Sequence, residues 1–396
     1  MKNCKTKRFY YPILGIISVF TLLFSSGVYA QEDWEPQTFV TGYANTIFEW
    51  SSLDRRDDLG NIKDSWGVGL SEVAFLVSYK PIQKLEVKGT FVYTPYLEDL
   101  HGLIVEAYAN YSLSDKLKFG AGRFLTPLSP VNQYFYAPVN ISATLPMVVS
   151  HHEMLPQNIT GFQISGAVGS DFKLNYNLTY GGYTARVHQE QGVLGIQGRE
   201  ELAATGTDIE NPIPREYLPG GTARLAGNWK EVVTLGINLF DAREGRTYVA
   251  TSQTTNAVVP TKSYTYGFDF HLNTGNFKFN TEYWQGKRET TTLMENFQFP
   301  QEFKDDFKAY YAEVFYSFND VVTPYYRYDH VEDAKAGDFF SSNVTTHTIG
   351  INYRPIYEAL FKVEYRHASV DIEPAAAFPF RQEKFDNVVI STVFSF

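Results

Sequence analysis

Asp386-Asn387-Val388-Val389-Ile390-Ser391-Thr392-Val393-Phe394-Ser395-Phe396 is the stretch whose reading decides the fold. Side chains along a strand alternate with a period of two. Val388, Ile390, Thr392, Phe394 and Phe396 therefore share one face, which is apolar and aromatic. Asn387, Val389, Ser391, Val393 and Ser395 share the other, which is small or polar. A soluble sheet seldom presents such an edge to water. A closed membrane barrel does, because its last strand pairs with its first and turns its apolar face to lipid.

This ending resembles the carboxy-terminal aromatic signature of bacterial outer-membrane barrels. The other end agrees with export. Lys2, Lys5, Lys7 and Arg8 precede a largely apolar run from Tyr11 to Phe24, and Val28-Tyr29-Ala30 offers small residues for cleavage before Gln31. Residues 1–30 are expected to be a secretory signal peptide, and 31–396 a single barrel domain. A single anchoring helix is the competing reading, disfavoured because the cleavage signal and polar residues follow at once. Cys4, the only cysteine, lies within the expected leader, so no disulfide or thiolate metal site is expected in the mature chain.

Removing the leader leaves 30 basic against 44 acidic residues, which excludes a basic nucleic-acid-binding surface. Hydrophobic residues make up 44% and charged ones 20%, so the chain is expected to fold. A mean hydropathy of −0.25 shows no helical membrane signal. It suits a barrel, whose inward polar residues offset its outward apolar ones. The 28 tyrosines and 31 phenylalanines are enough for aromatic girdles at both membrane interfaces.

Beyond Gln31 the pattern is of alternating segments separated by turns. The candidate strands are 37–50, 66–79, 85–93, 103–113, 117–124, 158–168, 172–181, 220–229, 232–240, 261–272, 277–285, 306–318, 322–330, 343–354, 359–369 and 385–396. The fold class is thus all-β: a transmembrane antiparallel barrel of about sixteen strands. Connections alternate in length. Short ones such as Gly169–Asp171 and Asn273–Asn276 carry turn residues. The long ones are 51–65, 94–102, 125–157, 182–219, 241–260, 286–305, 331–342 and 371–384. That asymmetry is expected of short periplasmic turns and long external loops. A soluble β-sandwich does not account for it.

Alternation also assigns faces. In 359–369, Phe361, Val363 and Tyr365 point to lipid while Lys362, Glu364 and Arg366 point inward. In 261–272, Tyr264, Tyr266, Phe268 and Phe270 point out while Thr265, Asp269 and His271 point in. A Lys or Arg on the lipid face near the midplane costs about 2–4 kcal/mol, which enforces this sorting. The inward candidates include Lys88, Lys173, Arg224, Lys278, Arg327, Arg354, Lys362 and Arg366. They are balanced by Glu72, Glu86, Glu106, Asp269, Glu282, Glu313, Asp329 and Glu364. Two readings stay open: opposed rows that set a transverse field, or pairs with no selective role. Either way a polar interior is expected to be wet.

The stretch 125–157 has no strand pattern of its own, and a structureless loop this long is usually functional or disordered. Its aromatic content, Tyr134 and Tyr136 included, favours packing. It contains no Lys or Arg, and Glu153 is its only acid. His151-His152-Glu153 is better read as loop packing than as a metal site, since adjacent strand histidines point apart and no cysteine supports them. No phosphate-binding Gly-rich loop or HExxH motif is present. The mixed charges of 182–219 suit a solvated external loop, a lid or a contact to neighbours.

Val105-Glu106-Ala107-Tyr108-Ala109-Asn110-Tyr111, followed by Leu117-Lys118-Phe119-Gly120-Ala121-Gly122-Arg123-Phe124-Leu125-Thr126-Pro127, resembles a strand pair of the phosphate-selective porin O and P superfamily. Gln157-Asn158-Ile159-Thr160-Gly161-Phe162-Gln163-Ile164-Ser165-Gly166 resembles the strand that follows the third loop there. The likeness covers roughly 103–168 and is architectural elsewhere. It implies a trimeric, sixteen-stranded diffusion channel in the Gram-negative outer membrane, with the third loop folded inside as a constriction. Phosphate-selective members line that constriction with Arg and Lys. Residues 125–157 have neither, so phosphate selectivity is not implied.

The expectation is a porin passing small hydrophilic solutes or ions, with lipid and two further copies as partners and without cofactor, metal or catalysis. Glu106, Tyr108, Arg123 and the loop with Tyr134, Tyr136 and Glu153 are placed nearest the constriction. Arg224, Lys278, Glu282, Glu313, Arg327, Lys362, Glu364 and Arg366 are expected to line the pore. A substrate-specific barrel or surface receptor closed by 182–219 is the alternative. A barrel enzyme would need a Ser and His on one face.

Overall fold

A computed structural model describes residues 34–56, 65–94, 104–133, 136–150, 155–183, 218–252, 255–292, 301–334, 342–372 and 381–396. Sixteen strands run in chain order: β1 (Gln37–Arg56), β2 (Ser65–Ile82), β3 (Leu85–Tyr93), β4 (Ile104–Ser114), β5 (Leu117–Leu125), β6 (Asn158–Val168), β7 (Phe172–Tyr183) and β8 (Leu218–Trp229). They continue as β9 (Val233–Ser252), β10 (Thr255–Asn273), β11 (Phe277–Thr292), β12 (Gln301–Tyr316), β13 (Val322–Ala334), β14 (Ser342–Ile356), β15 (Ala359–Ile372) and β16 (Arg381–Ser395). Each pairs antiparallel with its neighbours, and β1 pairs with β16, so the sheet is a closed barrel without an edge. Closure satisfies the backbone polar groups that hydrocarbon cannot.

The terminal aromatic is part of that closure. Gly42 and Phe396 exchange backbone hydrogen bonds, each at 2.9 Å, and the Phe396 ring lies edge-on to Phe75 at 5.8 Å. A Cβ on residue 42 would stand 2.7 Å from the Ala74 carbonyl and from the Phe396 ring, so only glycine admits the contact.

The alternation read from the sequence sets both surfaces. Phe394, Ile237, Leu239, Phe268 and Tyr180 are exposed outward, whereas Asn387, Ser391, Asp269 and Glu364 are buried inward. Such an exterior needs lipid around it. No helix among the described residues is long and apolar enough to cross a membrane.

Several expected loops are shorter than the sequence suggests. The connection expected over 241–260 is largely a hairpin, with Thr255 paired to Ser252, and β11 runs to Thr292 instead of ending near 285. The apolar period stops at the membrane boundary, but backbone pairing continues into water, where no lipid face marks it. At the opposite end the turns are tight. Lys230, Glu231, Asn319 and Asp320 all take positive φ, the geometry of two-residue hairpin turns. Residues 1–33, with the expected leader, and 184–217, with most of the expected lid, lie outside the described residues.

Candidate functional site: the loop inside the barrel

The connection between β5 and β6 carries two short helices, α1 (Pro130–Gln133) and α2 (Met147–Ser150). Its apolar residues face inward-pointing wall residues. Leu128, Met147, Val148 and Leu155 form a buried cluster with Phe240, Trp284, Tyr311 and Val331. Tyr136 and Ala137 join a second with Tyr43, Val92, Leu360 and Val393. The loop therefore packs within the barrel. The absence of charged residues from its described part follows, because an unpaired ion in that setting would carry a large desolvation cost.

The wall supplies the polar partners. Glu364 accepts hydrogen bonds from the Ala143 N–H at 3.0 Å, the Thr144 N–H at 3.2 Å and the Tyr325 hydroxyl at 2.7 Å, and it also accepts the Thr144 hydroxyl. Arg327 donates to the Thr144 carbonyl at 2.8 Å and to its hydroxyl at 2.9 Å, while its Nε pairs with Asp329 at 2.8 Å. Asp329 in turn accepts the Met147 N–H at 2.9 Å, capping the first residue of α2. Lys362 donates to the carbonyls of Ala137 at 2.8 Å and Ser142 at 2.9 Å. Arg354 reaches the Pro138 carbonyl and Asn352 the Ile141 carbonyl.

The other leg is held from β8 and β11. Arg224 donates to the Leu128 carbonyl at 3.1 Å and forms a two-pronged pair with Asp269, both contacts at 2.7 Å. The Ser129 hydroxyl donates to Glu282 at 2.8 Å, and Glu282 also accepts from Trp284 and Tyr311. On β4, Glu106 accepts the Tyr136 hydroxyl and pairs with Lys88 at 2.9 Å. Burial and this carboxylate hold the Tyr136 hydroxyl well above the ordinary tyrosine range, so it remains a donor.

The structure thus brings together most of the sequence-derived residues, but as a seat for the loop. Glu106, Tyr108, Arg224, Lys278, Glu282, Glu313, Arg327, Lys362, Glu364 and Arg366 all fall in the inward register. Glu282, Arg327, Lys362 and Glu364 are at most 1% exposed. That corrects the expectation that these side chains line a wet interior: where the loop packs, paired and buried ions replace water. Glu313 accepts the Asn280 amide at 2.9 Å and Arg366 lies 3.8 Å from Glu364. Lys278 stands apart, half-buried beside the turn after β10. Tyr134 and Glu153, with both expected loop histidines, lie outside the described residues.

Arg123 is a second correction. It pairs with Ala107 and Thr160 on the outward row that carries Phe119 and Phe162, and it donates to Asn158 at 3.3 Å. The inward positions beside it are Gly120, Gly122 and Phe124, the last stacked on Tyr108 at 4.9 Å. Its place in a motif suggested the pore; the parity of β5, readable from Lys118 and Phe119, puts it outside. Sequence reading missed Thr144, Ser129, Ala137 and Ser142, whose backbone or hydroxyl groups receive the wall charges. Nothing in their type or spacing marks them.

The sequence matches no family model and no curated relative. Solved structures do match. The barrel is similar to OmpT of Vibrio cholerae, an outer-membrane protein (11% identity, TM-score 0.56), over 91% of this chain and 98% of that one. It is similar to Salmonella typhi OmpF, solved with daunomycin (10% identity, TM-score 0.58), over 91% and 97%. It is also similar to the outer-membrane channel DcaP of Acinetobacter baumannii (13% identity, TM-score 0.54), over 91% and 97%. At these identities the likeness is one of fold, and the fold is that of outer-membrane porins: a closed antiparallel barrel of sixteen strands.

Proposed function

We propose that this chain is an outer-membrane porin, a passive diffusion channel for small hydrophilic solutes. The observation that carries the reading is the loop between β5 and β6, folded inside a closed barrel and fixed at both legs by wall charges, from Arg224 to Glu364. A fixed obstruction narrows a bore without closing it, and no step of covalent chemistry is needed. Residues 1–30 act as a leader that is removed on export, and the barrel resides in the outer membrane, as its porin-like fold suggests.

Charge selectivity is weak in this reading. The loop brings no Lys or Arg, and the described wall charges nearest it are spent on pairing and on holding it. Phosphate selectivity, which the O and P superfamily likeness would otherwise suggest, has no Lys or Arg within residues 125–157 to support it. A homo-trimer is part of the proposal. One solved OmpT of Vibrio cholerae is a trimer form. Stepwise conductance of the purified protein in a planar bilayer, in clusters of three equal levels, tests the whole reading. Protein that folds but never conducts would defeat it.

A further inference from the structure

We propose that the first leg of the loop is held by one proton shared along His271, Asn280 and Glu313, so that the leg is seated while the proton is bound and loosens as it leaves. The seating stands on the geometry of the wall; its effect on current rests on the porin reading.

The three side chains form a row across β10, β11 and β12. The His271 Nδ1 lies 2.9 Å from the Asn280 Oδ1, and the Asn280 amide donates to Glu313 at 2.9 Å. The His271 Nε2 lies 3.3 Å from the Asp269 Oδ1, and among the described residues no other group serves this buried nitrogen. Because the amide donates to Glu313, its Oδ1 takes a hydrogen from Nδ1. A neutral ring protonated there would turn the Nε2 lone pair onto the Asp269 carboxylate, away from water. The imidazolium instead donates on both sides. Turning the amide over gives a second satisfied arrangement: protonated Glu313 donates to Oδ1, the amide donates to Nδ1, and a neutral ring donates from Nε2 to Asp269. Each arrangement holds one proton, so His271 and Glu313 titrate as a unit.

The surroundings need that proton. Asp269 and Glu282 stand directly opposite each other, 2% and 1% exposed, where like charges repel. On β8, Arg224 is paired with Asp269; on β13, Arg327 and Asp329 are paired with each other. Lys278 on β11 lies two residues before Asn280, and Tyr311 on β12 donates to Glu282. The inward face of β9 from Thr234 to Ala242, and the leg from Leu125 to Gln133, carry no ionisable group. Both contacts of the leg hang on this patch. Arg224, aligned by Asp269, donates to the Leu128 carbonyl, and Glu282 accepts the Ser129 hydroxyl. Losing the proton removes a positive charge from among buried carboxylates, and the leg loosens as water enters to solvate them. The stability the proton supplies is present in acid and lost as pH rises.

Val131→Cys in a Cys4→Ser background tests the seat, since Val131 packs against the buried cluster of the leg. Its reaction with a water-soluble methanethiosulfonate, read by mass in the folded barrel, reports local opening independently of conduction. Glu313→Gln fixes the second arrangement without a titrating proton. Dividing the parent's rate by that of Glu313→Gln at each pH cancels the ionisation of the thiol itself. The ratio should be near one at pH 5.5 and about tenfold or more at pH 9.5. His271→Leu should label fast at both. In a planar bilayer the parent's open-channel current should be noisier at pH 9.5 than at 5.5, and that of Glu313→Gln quiet at both. A ratio that does not change with pH overturns the proposal, whether or not the barrel conducts. A ratio that rises as expected in a barrel that never conducts upholds the proton-held seat and overturns the porin reading.

Discussion

Arg327 and Thr144 meet twice: one guanidinium nitrogen donates to the threonine carbonyl at 2.8 Å, the other to its hydroxyl at 2.9 Å. The same hydroxyl donates to Glu364. One small loop residue therefore bridges a buried cation and a buried anion from β13 and β15. Thr144→Val keeps the shape and removes the hydroxyl, leaving one bond unmade at each charge. The expected cost is about 1–3 kcal/mol of barrel stability, seen as a lower unfolding temperature in detergent. Noisier open-channel current should accompany it, since the loop's hold is loosened.

Lys362→Met is expected to free the Ala137–Ser142 leg. Both carbonyls lose their donor in a setting without water, at about 1–3 kcal/mol each if nothing replaces it. Protease sensitivity of the loop in the folded barrel should rise, with the strand content unchanged by circular dichroism.

Gly42→Leu is expected to impair barrel closure. The new Cβ would meet the Ala74 carbonyl and the Phe396 ring at 2.7 Å, so β1 must shift from β16 or β2. Phe396→Ala should be milder, because it removes the ring contact with Phe75 and keeps the backbone bonds. The fraction of heat-modifiable folded barrel on unboiled gels ranks the two.

Tyr136 gives an alkaline signature. Its hydroxyl is held above the ordinary range by burial and by Glu106, so folding favours the protonated form. The stability it contributes is fully present below the unfolded value of about 10. It is lost as pH rises through the higher folded value. Tyr136→Phe should flatten the fall in unfolding temperature above pH 10 relative to the parent.

The fold was legible because lipid enforces the period. All sixteen strands could be read from alternation, and the lengths of their connections gave the two ends. What escaped is where that enforcement stops. The outer extensions of β9 and β10 pair in water without a lipid face to mark them. Within the site, the wall charges could be listed but not their use. Lys362 and Glu364 look alike in sequence whether they face water or a loop, and their partners are carbonyls and N–H groups that every residue carries. Arg123 shows the reverse error, a motif position trusted over strand parity.

The central claim is that wall charges seat the loop and do not sort ions. Reversal potential in a potassium chloride gradient across a planar bilayer tests it most directly. The expected result is stepwise conductance with a potential near zero, little changed when Lys362 is replaced by Met. A potential close to the limit for a single permeant ion, collapsing with that substitution, would contradict the account.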